Sequence, residues 1–74
     1  MKVKLIKVNP LWNKSIRALQ NKIFDIVNIE VWMIHHGKEI FFITVDASVY
    51  GLGKLVFKSW DCEIIRQQEF DFMY

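Results

Sequence analysis

His35-His36 is the pair of residues in this chain whose types most directly invite chemistry, because imidazoles ligate metals and move protons near neutral pH. Their spacing argues against a shared metal. Adjacent residues in an extended strand project to opposite faces, and no second cysteine or clustered carboxylate completes a tetrahedral set. The single cysteine, Cys62, could be drawn with a histidine and Asp46 or Asp61 as a nucleophilic triad. Nothing near it in sequence activates the thiol, and an unactivated cysteine behaves as a small hydrophobe. Gly51-Leu52-Gly53-Lys54 has the glycines and the lysine of a phosphate loop. It lacks the hydroxyl residue after the lysine, and the Leu55-Val56-Phe57 that follows is strand sequence rather than helix. The carboxylates Asp61, Glu63, Glu69 and Asp71 could serve as acid or base only within a cleft. The expectation is a non-enzymatic protein with no catalytic residue, no metal site and no cofactor.

Charge is more informative. Residues 1–24 carry Lys2, Lys4, Lys7, Lys14, Arg17 and Lys22 with no acid, whereas the rest of the chain carries four cations and eight acids. The net charge of +2 hides this asymmetry, which is a signal of a charged partner. Lys14, Arg17 and Lys22 are the candidates for steering an encounter or tracking a phosphate backbone. No nucleic-acid-binding signature accompanies them.

At 74 residues the chain is expected to form one domain, 1–74, which buries about 60% of the surface its unfolded form exposes. A composition 53% hydrophobic, with three glycines and one proline, excludes disorder and low complexity. One cysteine excludes an internal disulfide framework. No apolar run reaches the roughly 18 residues of a membrane span, and the start lacks a secretory h-region. A cytoplasmic protein that does not engage membranes is expected. Lys outnumbers Arg eight to two, and residues with AT-rich codons dominate, which suggests a gene of an AT-rich bacterium or of a virus infecting one.

The elements that must position these residues follow from periodicity. Residues 2–8 read as a strand of aliphatic residues interleaved with lysines. Asn9-Pro10 is a helix-opening pair, and Trp12, Ile16, Leu19, Ile23 and Val27 form one apolar stripe, so a helix is expected over Leu11 to Val27. From Ile29 the period becomes two. Residues 29–35 and 39–46 read as a hairpin with Gly37 in its turn, residues 46–53 as a connection, and 54–58 and 62–72 as two further strands around a turn at Ser59-Trp60-Asp61. The expected fold is α+β: strand, helix, then a four-strand meander, an antiparallel sheet with the helix on one face.

A two-residue hairpin turn would put Trp32, Ile34, Phe41, Ile43 and Val45 on one face, and Ile29, Val31, Met33, Ile40 and Phe42 on the other. One helix covers one face. The first set, free of interior polar residues, is expected beneath the helix, which leaves Val31, Met33, Ile40 and Phe42 as a partner-binding patch. A sheet that curls until it covers itself is the competing arrangement. The final strand, with Glu63, Glu69 and Asp71 in one parity and Ile64, Phe70 and Phe72 in the other, offers an edge for pairing with a second copy.

The functional expectation is a protein-interaction module, an inhibitor or accessory regulator of the phage or mobile-element type, that occludes a partner protein and forms a homodimer. Nucleic-acid binding through the basic N-terminal strand and helix is the alternative.

Overall fold

A computed structural model describes residues 1–65 of the chain. Its element order is β1 (Lys2–Leu5), α1 (Lys14–Arg17), β2 (Ile23–His35), β3 (Lys38–Asp46), β4 (Lys54–Lys58) and β5 (Cys62–Ile65). Short 3₁₀ turns occupy Ser48–Tyr50 and Ser59–Asp61. The five strands form one antiparallel sheet in the order β4-β3-β2-β1-β5. The protein is thus mostly β with little helix. The outer part of the expected last strand, with Glu69, Phe70, Asp71 and Phe72, lies outside the described residues.

The long helix expected over Leu11 to Val27 is corrected to a single turn. Asn9 Oδ1 accepts from Leu11 N (2.9 Å), which closes a local turn at Pro10 instead of opening a helix. Asn13 is the N-cap, accepting from Ser15 N at 2.9 Å. The helix stops at Ala18, and Asn21 takes a left-handed φ of 69° that no helix interior tolerates. Trp12, Ile16 and Leu19 do pack on the core as the stripe implies. Ile23 and Val27 do not continue it, because from Ile23 the chain is strand, with Phe24 turned into the core and Ile23 and Asp25 outward.

The sheet is rolled rather than flat. β4 and β5 occupy opposite edges, yet only Ser59–Asp61 joins them. Four Cα steps reach at most about 15 Å, whereas four strand spacings in a flat sheet measure about 19 Å. The edges must approach each other, and the hydrogen bonds show where. Ser59 Oγ accepts from Phe41 N on β3 (3.0 Å), while Asp61 O accepts from Ile6 N (2.7 Å) and Lys7 N (3.1 Å) just beyond β1. The result is a small, partly open barrel. Val3, Leu5, Leu19, Phe24, Ile43, Val45, Ala47 and Phe57 form its core.

β2 outruns its neighbours. β1 pairs with its first residues, to Asp25, and β4 pairs with β3 only from Phe42 onward. Beyond those limits, among the described residues, β2 and β3 continue as a two-stranded ribbon that closes at His36-Gly37, both with positive φ (51° and 75°). That is the two-residue turn whose twist matches its strands, with His35 paired to Lys38.

Candidate functional site

Two β-bulges determine what the ribbon displays. Pairing shifts between Ile26 and Asn28 and again between Val31 and Met33, so Val27 and Trp32 lack a direct partner on β3. Each extra residue exchanges the faces of everything beyond it. The expected face sets are corrected accordingly. Phe41, Ile43 and Val45 face the core, but their partners on β2 are Val31, Ile29 and Ile26. Trp32 lies on the opposite side, stacked on Phe42 with centroids 5.1 Å apart and planes at 26°.

Of the four expected patch residues, the structure brings together three. Met33 pairs with Ile40, and Phe42 shares their parity, whereas Val31 pairs with Phe41 on the other face. Ile40 is 4% exposed and Phe42 half-buried, so the accessible part of this surface belongs to residues the sequence reading placed elsewhere. These are Trp32, 38% exposed, and Trp60, 45% exposed. Trp60 meets Trp32 edge-on at 5.5 Å, and His35 stands 6.1 Å from Trp60. Lys58 Nζ sits 5.0 Å from the centre of the Trp32 ring, a cation over an aromatic face. The turn at Ser59–Asp61 therefore brings Trp60 from the far end of β4 onto the ribbon, and a bulge turns Trp32 to meet it. A tryptophan in an expected turn was the available signal for Trp60; no sequence signal marks the bulge.

His35 and His36 have ring centroids 4.2 Å apart, but among the described residues no three His, Cys, Asp or Glu side chains converge as a metal site. Cys62 is a half-buried free thiol whose pKa is pushed up to about 11, chiefly by burial and further by the neighbouring Asp61. Burial also raises Asp61, against the attraction of Lys58 and Lys7. Asp46 moves the opposite way, held down by the Ser48 backbone N–H that its carboxylate accepts at 2.9 Å. A groove of about 220 Å³ between α1 and β4 is lined by Trp12, Ile16, Leu55, Phe57 and Asp61 among others. It is smaller than the roughly 300–1,000 Å³ of ordinary small-molecule sites.

The expected steering residues are exposed, Lys14 and Arg17 on α1 and Lys22 at the turn into β2. Among the described residues the ion pair is Lys2 Nζ with Asp25, at 2.6 Å. No helix among them is long and apolar enough to cross a membrane.

No protein-family model, curated protein or solved structure matches this chain.

Proposed function

We propose that this chain is a small non-enzymatic protein-interaction module, an inhibitor or accessory regulator of the phage or mobile-element type working in the bacterial cytoplasm. It binds and occludes a partner protein with the face of the β2–β3 ribbon that carries Trp32, Met33 and Trp60. The observation that supports this reading is the aromatic cluster itself, with two partly exposed tryptophans over a floor of Ile40 and Phe42. Tryptophan-centred apolar patches supply a disproportionate share of binding energy in protein interfaces. Lys58 and the basic Lys14, Arg17 and Lys22 would steer the encounter with an acidic partner.

The test is affinity capture from bacterial lysate with the wild type, Met33→Asp and Val49→Asp. Val49 is also exposed but lies in the β3–β4 connection. A protein retained by the wild type and Val49→Asp, and lost by Met33→Asp, is the expected outcome. Equal retention by all three variants sinks the assignment of this face.

A second reading, binding of single-stranded nucleic acid, is favoured by Lys58 standing over Trp32 beside the partly exposed Trp60. A cation next to stacking surfaces is how sequence-tolerant single-strand binders work. Lys14 and Arg17 would add phosphate contacts. Oligonucleotide binding that falls steeply with salt and weakens in Trp60→Ala supports it; no binding at low salt removes it.

A further inference from the structure

Leu55, Val56, Phe57 and Lys58 are consecutive residues of β4, and all four line the groove beside α1. Neighbouring residues of a strand point to opposite faces, so a surface that touches four in a row runs along the strand's edge. One edge of β4 is paired with β3, and no described residue pairs with the other. The groove therefore follows a row of backbone N–H and C=O groups that water or another extended chain must satisfy. Trp12 and Ile16, both half-buried, give it an apolar lining from the α1 side. At about 220 Å³ it is small for a free ligand, and it suits a side chain of a segment that lies mainly outside it.

The charges around the groove point to its occupant. Lys58 lines it and Lys54 stands at the other end of β4, while Lys14 and Arg17 flank Ile16 on α1. Lys7 and Lys58 both act on the carboxyl of Asp61, which also lines the groove. Against these five cations stand Asp61 and Asp46, the latter opposite Lys54. The other described acids are placed elsewhere. Asp25 is paired with Lys2, Glu63 stands opposite Lys4, Glu30 accepts from Asn28 Nδ2 at 2.9 Å, and Glu39 lies near the tip of the ribbon.

We propose that the open edge of β4 receives an extended acidic segment of a partner protein. The segment adds a strand beside Lys54–Lys58 and inserts an apolar side chain among Trp12, Ile16 and Phe57. In this mode of recognition main-chain pairing supplies affinity, and the pocket for the inserted side chain supplies specificity. The cations on β4 and α1 favour carboxylates on the incoming strand and disfavour a basic one. The proposal goes beyond the aromatic-face reading and does not depend on it. Trp32, Met33 and Trp60 take no part, although Phe42 and Lys58 border both surfaces.

The probes are two sets of short synthetic peptides. In one, glutamates alternate with threonines around a central leucine, phenylalanine or tryptophan; in the other, lysines replace the glutamates. Fluorescence anisotropy should show binding within the acidic set and none within the basic set. Bound peptide should shift the backbone amide resonances of residues 54–58 and the Trp12 indole, and leave the Trp32 and Trp60 indoles in place. The double variant Lys14→Glu/Lys54→Glu changes two exposed side chains and should weaken binding by about tenfold or more while the rest of the spectrum is kept. No binding of any acidic peptide at low salt overturns the proposal, as does equal binding of the basic set. Shifts confined to Trp32 and Trp60 overturn it too, and give the acidic partner to the aromatic face. Without peptide, slow exchange of the β4 amides that face away from β3 gives this edge to the same chain if it is independent of concentration, and to a second copy if it grows with concentration. Either result overturns the proposal.

Discussion

Phe24 and Trp32 are aromatic residues of one strand, eight positions apart, and their surroundings differ in kind. Phe24 is enclosed, with the Tyr50 ring edge-on at 5.2 Å, the Phe57 ring at 5.8 Å, and β1, β3 and the turn after α1 supplying the rest of the core. Trp32 has β3 beneath it, Trp60 and Lys58 beside it, and solvent above. Among the described residues the base of β2 has strand neighbours on both edges, whereas the ribbon has β3 alone, with Trp60 and Lys58 covering part of one face. The apolar residues of the base hold the fold together. The exposed apolar side chains of the ribbon, Val31 and Ile34 among them, contribute less to folding than the buried ones, and their presence on so small a surface is what needs a functional explanation.

The sharpest way to test that division is to truncate both aromatics. Phe24→Ala should cost about 3–5 kcal/mol, a large part of the stability of so small a domain, and should be seen as a collapse of the urea midpoint. Trp32→Ala should cost about 1 kcal/mol, since it removes a partly exposed stacking contact. Equal losses would mean that the ribbon is part of the folding core and would undo the comparison.

The turn allows a smaller test. His36 and Gly37 both have positive φ, and a Cβ added at Gly37 meets nothing within 4 Å, so the strain of Gly37→Ala is purely conformational. A loss of about 1 kcal/mol is expected. Hydrogen exchange should show it as faster opening of residues 31–41 while the amides of Val3, Leu5 and Val45 keep their protection. Loss of protection throughout would show that the ribbon and the barrel open as one unit.

These two regions were not equally legible in the sequence. β1, β3, β4, the turn at Gly37 and the connection over 46–53 all follow from alternation and glycine placement. The helix did not, because Trp12, Ile16 and Leu19 share a helical spacing over little more than two turns, and Ile23 and Val27 continue it by coincidence. Phe24 was the contrary signal: a helix with that stripe would leave a phenylalanine among its polar residues, whereas a strand buries it. The ribbon faces were misassigned for another reason. A bulge adds one residue without altering composition, and the alternation of Val31, Trp32 and Met33 looks regular until pairing with β3 is known. The rolled sheet does not follow from the sequence pattern, since it depends on the strand order, in which Ser59–Asp61 must bridge two edges.

Cys62 sits at that bridge and reports on it. Burial raises its folded pKa to about 11 from the ordinary 9.0, so the folded state disfavours the thiolate. The sign follows: stability is unaffected below pH 9 and falls as pH rises from there toward 11, because only the unfolded chain ionises freely in that window. Cys62→Ser should flatten the alkaline limb. At pH 8 the native thiol should be alkylated roughly ten- to a hundredfold more slowly than in urea. Alkylation at the same rate in both would mean that the junction between β4 and β5 is open in solution.

The smallest expected effect lies at the boundary between the two regions. Lys2 and Asp25 form a 2.6 Å ion pair where β1 stops covering β2, an attractive place to credit charge with clamping the base of the ribbon. The two side chains are 48% and 70% exposed, and exposed pairs contribute about 0–1 kcal/mol, reduced further by salt. Beside them, Val3 pairs with Phe24, both buried, and Ile26 N donates to Met1 O at 3.0 Å. Apolar burial and the backbone ladder therefore hold the junction, and Lys2→Ala should change stability by no more than about 0.5 kcal/mol at 0.15 M salt. If a denaturation curve shows a loss of 2 kcal/mol or more, the clamp is electrostatic. The ribbon would then loosen from the barrel as salt is raised, in place of standing firm on an apolar base.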